Sequence, residues 1–293
     1  MKTLSLPHQN VHISLIAGAL LLFCGCSSMT QLTKEPRVET IAHVPGSAIK
    51  VSASNGSIKV IQADRGDVKI ASHLRLVSPL RSEDTRVVAD RNGDGGLEVR
   101  VDWAEGKKKN REGCSFEIEV PDGSGIELCT SNGAIVLSRL GGQASLNTSN
   151  GKIYVTDHRG PLNARTSNGT IVVRGVGGPV DLKSSNGRIS VNEAGGPVKA
   201  ITSNGGVGIA FSPDSWGPVE AHSSNGSITL NLSSGFSGEL YAKARVNGAV
   251  RTENLPEVQL ISLGKNEARL RFGNSNEEST VTTSNGSIKL VGM

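Results

Sequence analysis

Thr148-Ser149-Asn150-Gly151-Lys152-Ile153-Tyr154-Val155 is followed 18 residues later by Thr166-Ser167-Asn168-Gly169-Thr170-Ile171-Val172-Val173, and 18 later again by Ser184-Ser185-Asn186-Gly187-Arg188-Ile189-Ser190-Val191. The Ser-Asn-Gly element recurs with its asparagine at Asn55, Asn132, Asn150, Asn168, Asn186, Asn204, Asn225 and Asn285, and a degenerate Val-Asn-Gly stands at Asn247. Aligned on the asparagine, the repeats alternate on both sides of the turn. Four residues before it come Leu128, Leu146, Ala164, Leu182, Ala200 and Ala221, and two before it Thr130, Thr148, Thr166, Ser184, Thr202 and Ser223. Three residues after it come Ile135, Ile153, Ile171, Ile189, Val207 and Ile228, and five after it Leu137, Val155, Val173, Val191, Ile209 and Leu230. A period of two with β-branched residues predicts strands buried on one face.

Each repeat therefore reads as strand, turn, strand, with Asn-Gly at the turn because both residues tolerate positive φ. A second turn falls halfway round, at Gly141-Gly142, Gly160-Pro161, Gly177-Gly178-Pro179, Gly195-Gly196-Pro197 and Gly217-Pro218. A meander of hairpins would give the same local signal, since Asn-Gly is a strong hairpin cue. Identical residues at a constant step instead favour coils stacked in parallel at about 4.8 Å, like over like. The expected fold is all-β, a parallel β-solenoid with coils of about 18 residues. Asn132, Asn150, Asn168, Asn186, Asn204 and Asn225 are then structural turn residues that can hydrogen-bond along the stack.

Outside the regular repeats, alternating segments at Val68 to Leu74, Leu97 to Trp103, Phe116 to Val120 and Ala268 to Phe272 predict longer, less regular coils. Trp216 lies in a three-residue excess between Asn204 and Asn225, where packing is the simplest role. Ile288 to Leu290 is read as an uncapped last strand, open to strand addition by a partner.

The N-terminus has a different character. Lys2 precedes an apolar run from Ile13 to Phe23, too short to span a bilayer but fit for a signal-peptide core. Leu22-Phe23-Cys24-Gly25-Cys26-Ser27 resembles a bacterial lipobox with Cys26 as the lipidated residue. Residues 1–26 are expected to be a lipoprotein signal peptide, 27–36 a flexible polar tether and 37–293 the solenoid domain. Ser27 after the cysteine points to the outer membrane of a Gram-negative cell envelope, so the membrane is an expected partner through the lipid.

Lys plus Arg number 31 against 27 Asp plus Glu, a formal charge of +4 that gives no reason to expect a nucleic-acid partner. Aromatics are 3% and glycines number 36, which suits thin aliphatic layers and many tight turns. No spacing of His43, His73, His158 and His222 suggests a metal site, and no cofactor is expected. The outward positions beside the turn are Cys129, Asn147, Arg165, Lys183, Ile201 and His222 on one side, and Ala134, Lys152, Thr170, Arg188, Gly206 and Ser227 on the other. None is a carboxylate, which argues against a Ca²⁺-dependent lyase on this face; Asp157, Asp181 and Glu193 lie near the other turn. Lys152, Arg165, Lys183 and Arg188 are the candidate ligand-binding residues, a basic stripe for an anionic glycan or headgroup, with a plain solvated face as the alternative. Cys114 and Cys129 are a candidate disulfide, although the alternation turns Cys114 inward and Cys129 outward.

Phe116-Glu117-Ile118-Glu119-Val120-Pro121-Asp122-Gly123, leading into Ile126-Glu127-Leu128-Cys129-Thr130-Ser131-Asn132-Gly133-Ala134-Ile135, resembles the central pattern of the bacterial adhesin-like β-strand-repeat families. The resemblance covers most of the chain after the signal segment. It implies a β-strand-repeat fold and, through the family name alone, adhesion. The leading functional expectation is a non-catalytic, lipid-anchored envelope scaffold that binds an envelope polymer or a protein partner. The alternatives are an accessory or sensing lipoprotein acting through a membrane signalling partner, and a glycan-active β-helix enzyme.

Overall fold

The computed structural model describes residues 32–33, 36–215, 217–255 and 257–293. Cys26, the signal segment and Trp216 lie outside them. Two sheets of 13 strands each face one another across an aliphatic core. In the first, Ile135–Ser138, Ile153–His158, Ile171–Val176 and Ile189–Ala194 pair in parallel, with Ile135 on Ile153, Ile153 on Ile171 and Ile171 on Ile189. In the second, Gln143–Thr148, Leu162–Thr166, Val180–Ser184 and Val198–Thr202 do the same, with Leu146 on Ala164, Ala164 on Leu182 and Leu182 on Ala200. The molecule is all-β, built of two large and mostly parallel sheets in a solenoid-like stack. The expected inward columns are buried: Ile135, Ile153, Ile171, Ile189 and Ile228 are fully covered.

The turn is held by three contacts that repeat from coil to coil. Asn150, Asn168, Asn186 and Asn204 each donate from Nδ2 to Oδ1 of the preceding ladder asparagine, at 2.6 to 2.8 Å. Inside the turn, Thr148 Oγ1 donates to the Gly133 carbonyl at 3.0 Å and accepts from the Gly151 amide at 3.2 Å. Thr166 and Ser184 repeat both bonds one and two coils on. The hydroxyl column thus satisfies buried backbone that a Val column would leave unpaired.

The third contact corrects the reason for glycine. Gly151, Gly169 and Gly187 do not have positive φ. A Cβ on Gly169 would instead lie 1.7 Å from the Gly151 carbonyl oxygen, so these glycines are required by the approach of one coil to the next. Positive φ recurs seven residues after the asparagine, at Arg139, Asp157, Gly175 and Glu193, near the end of each first-sheet strand.

The order of coils departs from the order of the sequence at both ends. The coil formed by Ile49–Ser52 and Ile58–Gln62 stacks on that of Gly125–Thr130 and Ile135–Ser138. The intervening chain folds back on its other side, as Asp67–Leu76 and Gly113–Val120 in the first sheet and Arg86–Arg91 and Leu97–Asp102 in the second. At the opposite end, Glu278–Thr283 and Ile288–Gly292 insert between the coil of Val219–Ser223 and Ile228–Leu232 and the strands Gly238–Ala244 and Val250–Glu253. The expected less regular coils are thus partly antiparallel end layers, with Asp67–Leu76 antiparallel to Gly113–Val120 and Glu267–Phe272 antiparallel to Gly238–Ala244. Like stacks on like: Asn132 reaches Asn55 across 77 residues, and Asn285 reaches Asn225 across 60.

Two expectations change as a result. Ile288–Gly292 is no edge, because it lies between Ile228–Leu232 and Val250–Glu253. Within the segment read as a tether, Leu32–Thr33 pairs with Arg75 and Leu76, so strand pairing begins before residue 37.

Candidate functional site

Parallel register carries each outward residue of the second sheet onto its counterpart in the next coil, so the surface consists of rows. One row runs Glu127, Ser145, Asn163, Asp181, Lys199, Glu220 and Thr280. A parallel row runs Cys129, Asn147, Arg165, Lys183, Ile201, His222 and Thr282.

Beside the first row, at the glycine-proline turn, Pro161, Pro179, Pro197 and Pro218 follow one another coil by coil. Proline fits there because it opens each strand, and the bond it needs is made through its carbonyl. Val180 N donates to Pro197 O at 2.9 Å and Val198 N to Pro218 O at 3.0 Å. The prolines and the row of Asn163, Asp181, Lys199 and Glu220 bound an open groove of about 710 Å³ that extends to Glu278 and Thr280. Its walls are apolar on the proline side and charged on the other. Lys199 Nζ lies 2.6 Å from Glu220, and the hydrogen bond to that carboxylate, more than its charge alone, raises the ammonium pKa. Arg165 reaches Asp181 at 3.8 Å and Asn163 Oδ1 at 3.1 Å. The carboxylates that the turn-side rows lacked are therefore present one row further out, paired with cations. Aligning the repeats on proline and reading two residues on would have exposed that row; alignment on asparagine drew attention to the other.

The four predicted basic residues do not form one stripe. Arg165 and Lys183 are in register on the second sheet and line a smaller groove of about 540 Å³ together with Cys129, Asn147 and the turn serines. Lys152 and Arg188 lie across the asparagine ladder, where the chain enters the first sheet, and Thr170 sits between them: Ile153 N donates to Thr170 O, and Ile171 N to Arg188 O. The turn separates the pairs because the residues before it belong to one sheet and those after it to the other.

Cys114 and Cys129 are both free thiols, so the candidate disulfide is not formed. Cys114 points into the core from Gly113–Val120 of the first sheet, and Cys129 outward from Gly125–Thr130 of the second. Burial pushes the Cys114 thiol up to about 12. Burial, reinforced by Glu127, also raises Cys129. Neither has the lowered pKa of a nucleophilic thiolate. Among the described residues no group of three or more His, Cys, Asp and Glu side chains is placed to hold a metal ion. No helix among them is long and apolar enough to cross a membrane.

No family model matches the chain, and no curated protein matches it. Solved structures do. One, named a putative adhesin, from Bacteroides fragilis, is 14% identical with a TM-score of 0.45, covering 89% of this chain and 98% of its own. A protein of Parabacteroides distasonis named a putative lipid binding protein is 14% identical with a TM-score of 0.40, over 88% of this chain and 96% of its own. A putative cell adhesion protein of Clostridium sporogenes is 17% identical with a TM-score of 0.23, over 88% of this chain and all of its own. At these TM-scores no function is carried across.

Proposed function

We propose that the chain is a non-catalytic, lipid-anchored protein of the cell envelope, a β-solenoid of about 18-residue coils that binds an extended envelope polymer along the outer face of its second sheet. The observation that carries this reading is the groove in which proline rings recur coil by coil beside Asn163, Asp181, Lys199 and Glu220. Extended repeat surfaces suit ligands that are themselves repetitive. The prolines provide an apolar shelf, and the charged and amide side chains provide hydrogen-bond partners for hydroxyl and amide groups, the mixture typical of a binding groove. Asp181, Glu220 and Glu278 outnumber Lys199 along the groove, which favours a polymer rich in hydroxyl and amide groups over a polyanion.

Attachment rests on Cys26 and its lipobox, and the outer membrane on Ser27. Mass spectrometry of the mature N-terminus should find a diacylglyceryl group on Cys26, and Cys26→Ala should release the protein from membranes. Binding is tested by retention on isolated peptidoglycan and on outer-membrane polysaccharide. Retention on either, weakened about tenfold by the double change Lys199→Ala with Glu220→Ala, is expected, since two polar contacts of ordinary strength amount to about that factor. No retention on either polymer, or retention indifferent to the double change, would remove the groove from the reading. Release of soluble fragments from the polymer would make the protein a glycan-active enzyme instead.

A further inference from the structure

The strand Val258–Leu263 closes one end of the second sheet and pairs on one side only, antiparallel to Glu267–Phe272. An edge strand offers unpaired backbone, and proteins commonly protect such edges with charge or proline. Three other edge strands follow that pattern: Arg37–Ala42 carries Arg37 and Glu39, Arg86–Arg91 carries Arg86, Asp90 and Arg91, and Val250–Glu253 carries Arg251 and Glu253. Val258–Leu263 reads Val-Gln-Leu-Ile-Ser-Leu and has neither. Leu260 is 56% exposed, Ile261 46% and Leu263 53%.

These leucines are not ordinary surface residues. Val258, Leu260 and Leu263 pair with Phe272, Leu270 and Ala268, all three buried, and so lie on the face of the sheet that turns towards the core. The first sheet ends at Val250–Glu253, while the second continues through Gly238–Ala244 and Glu267–Phe272 to this strand. The inward columns therefore run on past the last strand that could cover them.

We infer that Val258–Leu263 is a homodimerisation strand, pairing antiparallel with the same strand of a second copy about a twofold axis between Leu260 and Ile261. An interface of this symmetry requires one patch to complement itself, and the strand does. Val-Gln-Leu and Ile-Ser-Leu each read apolar, polar, apolar in both directions, so Val258 meets Leu263 of the second copy, Gln259 meets Ser262, and Leu260 meets Ile261. The register skip between Leu260 and Ser262 makes this workable. Without the extra residue, Leu263 would share a face with Gln259, and each pairing would set an inward residue against an outward one. With it, Val258 and Leu263 both face inward, and Gln259 and Ser262 both face outward.

Sedimentation equilibrium of the full chain in a density-matched mild detergent tests the proposal. A concentration-dependent dimer is expected, and Leu260→Lys and Leu263→Lys should each weaken it by about tenfold or more, because a charge is then buried at the strand junction. Both side chains are more than half exposed in the single copy, so the variants should retain the parent circular dichroism and melting temperature. Val38→Lys, equally exposed on the edge strand at the other end, should leave association unchanged. A chain that stays monomeric to about 100 µM, far above the dissociation constant of a specific dimer, would overturn the inference. So would a dimer insensitive to both lysines, or a monomer that binds phosphatidylglycerol vesicles through Leu260, which would make the patch a membrane face.

Discussion

Asn168 donates from Nδ2 to Oδ1 of Asn150 at 2.7 Å, while the glycine that follows each of them brings one coil so close to the next that no Cβ fits between. The two neighbouring residues of the motif thus act differently: asparagine links the turns, and glycine permits them to touch. Gly169→Ala should be severely destabilising, by about 3 kcal/mol or more, since the intruding methyl meets backbone that cannot move without parting two coils. Gly208, in a strand of the same stack, has open space where its Cβ would be. Gly208→Ala should be neutral or stabilise by about 0.5 kcal/mol, as expected for alanine replacing glycine within a strand. Urea midpoints of the two variants measure the contrast, and equal midpoints would refute the close-approach account.

Thr166 tests the hydroxyl column. Its Oγ1 donates to Gly151 O at 3.0 Å and accepts from Gly169 N at 3.1 Å, both buried. Thr166→Val keeps the shape but leaves that carbonyl and amide unpaired, at a cost of about 1–3 kcal/mol. Thr166→Ser should retain most of the stability, as Ser184 does the same work one coil on. Thermal unfolding of both variants decides between hydrogen bonding and packing.

His158 gives the fold a pH dependence. It is buried in register with Val176, and burial, outweighing the carbonyls of Pro161, Leu140 and Gly142, holds its pKa below the ordinary 6.5. Below 6.5 the unfolded chain therefore binds a proton that the folded one resists, and stability falls as the pH drops from 6.5 towards the folded pKa, by at most about 1.4 kcal/mol per pH unit. His158→Val, matching its neighbour in the column, should lose less stability than the parent between pH 7.5 and 5.5. Identical losses would show that other groups account for the acid sensitivity.

At the end layer that contains Asp67–Leu76, Arg81 Nε lies 2.8 Å from Glu112 Oε1, and both side chains are buried. Burial pushes the Glu112 carboxyl up, but the hydrogen bonds from Arg81 and the Lys109 amide, with the charge of Arg81, bring it below the usual carboxylate value. Arg81 also donates to the Lys107 carbonyl at 2.6 Å and the Ala104 carbonyl at 3.2 Å, pinning the loop over the end of the stack. Arg81→Met alone should cost about 3–5 kcal/mol by stranding a buried carboxylate. Arg81→Met with Glu112→Leu should cost less than the single change, and a double-mutant cycle measures the coupling.

Much of the architecture was legible in the repeats because each coil buries the same columns: alternation around Asn150, Asn168 and Asn186 names the inward residues, and the glycine-proline turn marks where the second strand begins. Site rows were less legible. Asp181 and Lys199 stand at equivalent positions of successive repeats, but nothing local distinguishes their row from that of Arg165 and Lys183 until the proline shelf beside it is seen. The separation of Lys152 and Arg188 from Arg165 and Lys183 follows from which sheet each half of the repeat enters.

What can stack on what is already set by the repeats, since a turn of asparagine and glycine offers the amide oxygen and carbonyl that the asparagine and hydroxyl of the next such turn need. The order of stacking at the ends emerges in the folded chain alone. Asn55 lies 77 residues from Asn132, and Asn285 lies 60 from Asn225, yet both are neighbours in the ladder. Each distant coil joins the ladder through its asparagine and through a threonine-to-glycine-carbonyl bond, Thr130 Oγ1 to Gly56 O at one end and Thr283 Oγ1 to Gly226 O at the other, and the intervening strands are displaced outward. That displacement removes Ile288–Gly292 from the edge and leaves Val258–Leu263 there with its inward face uncovered.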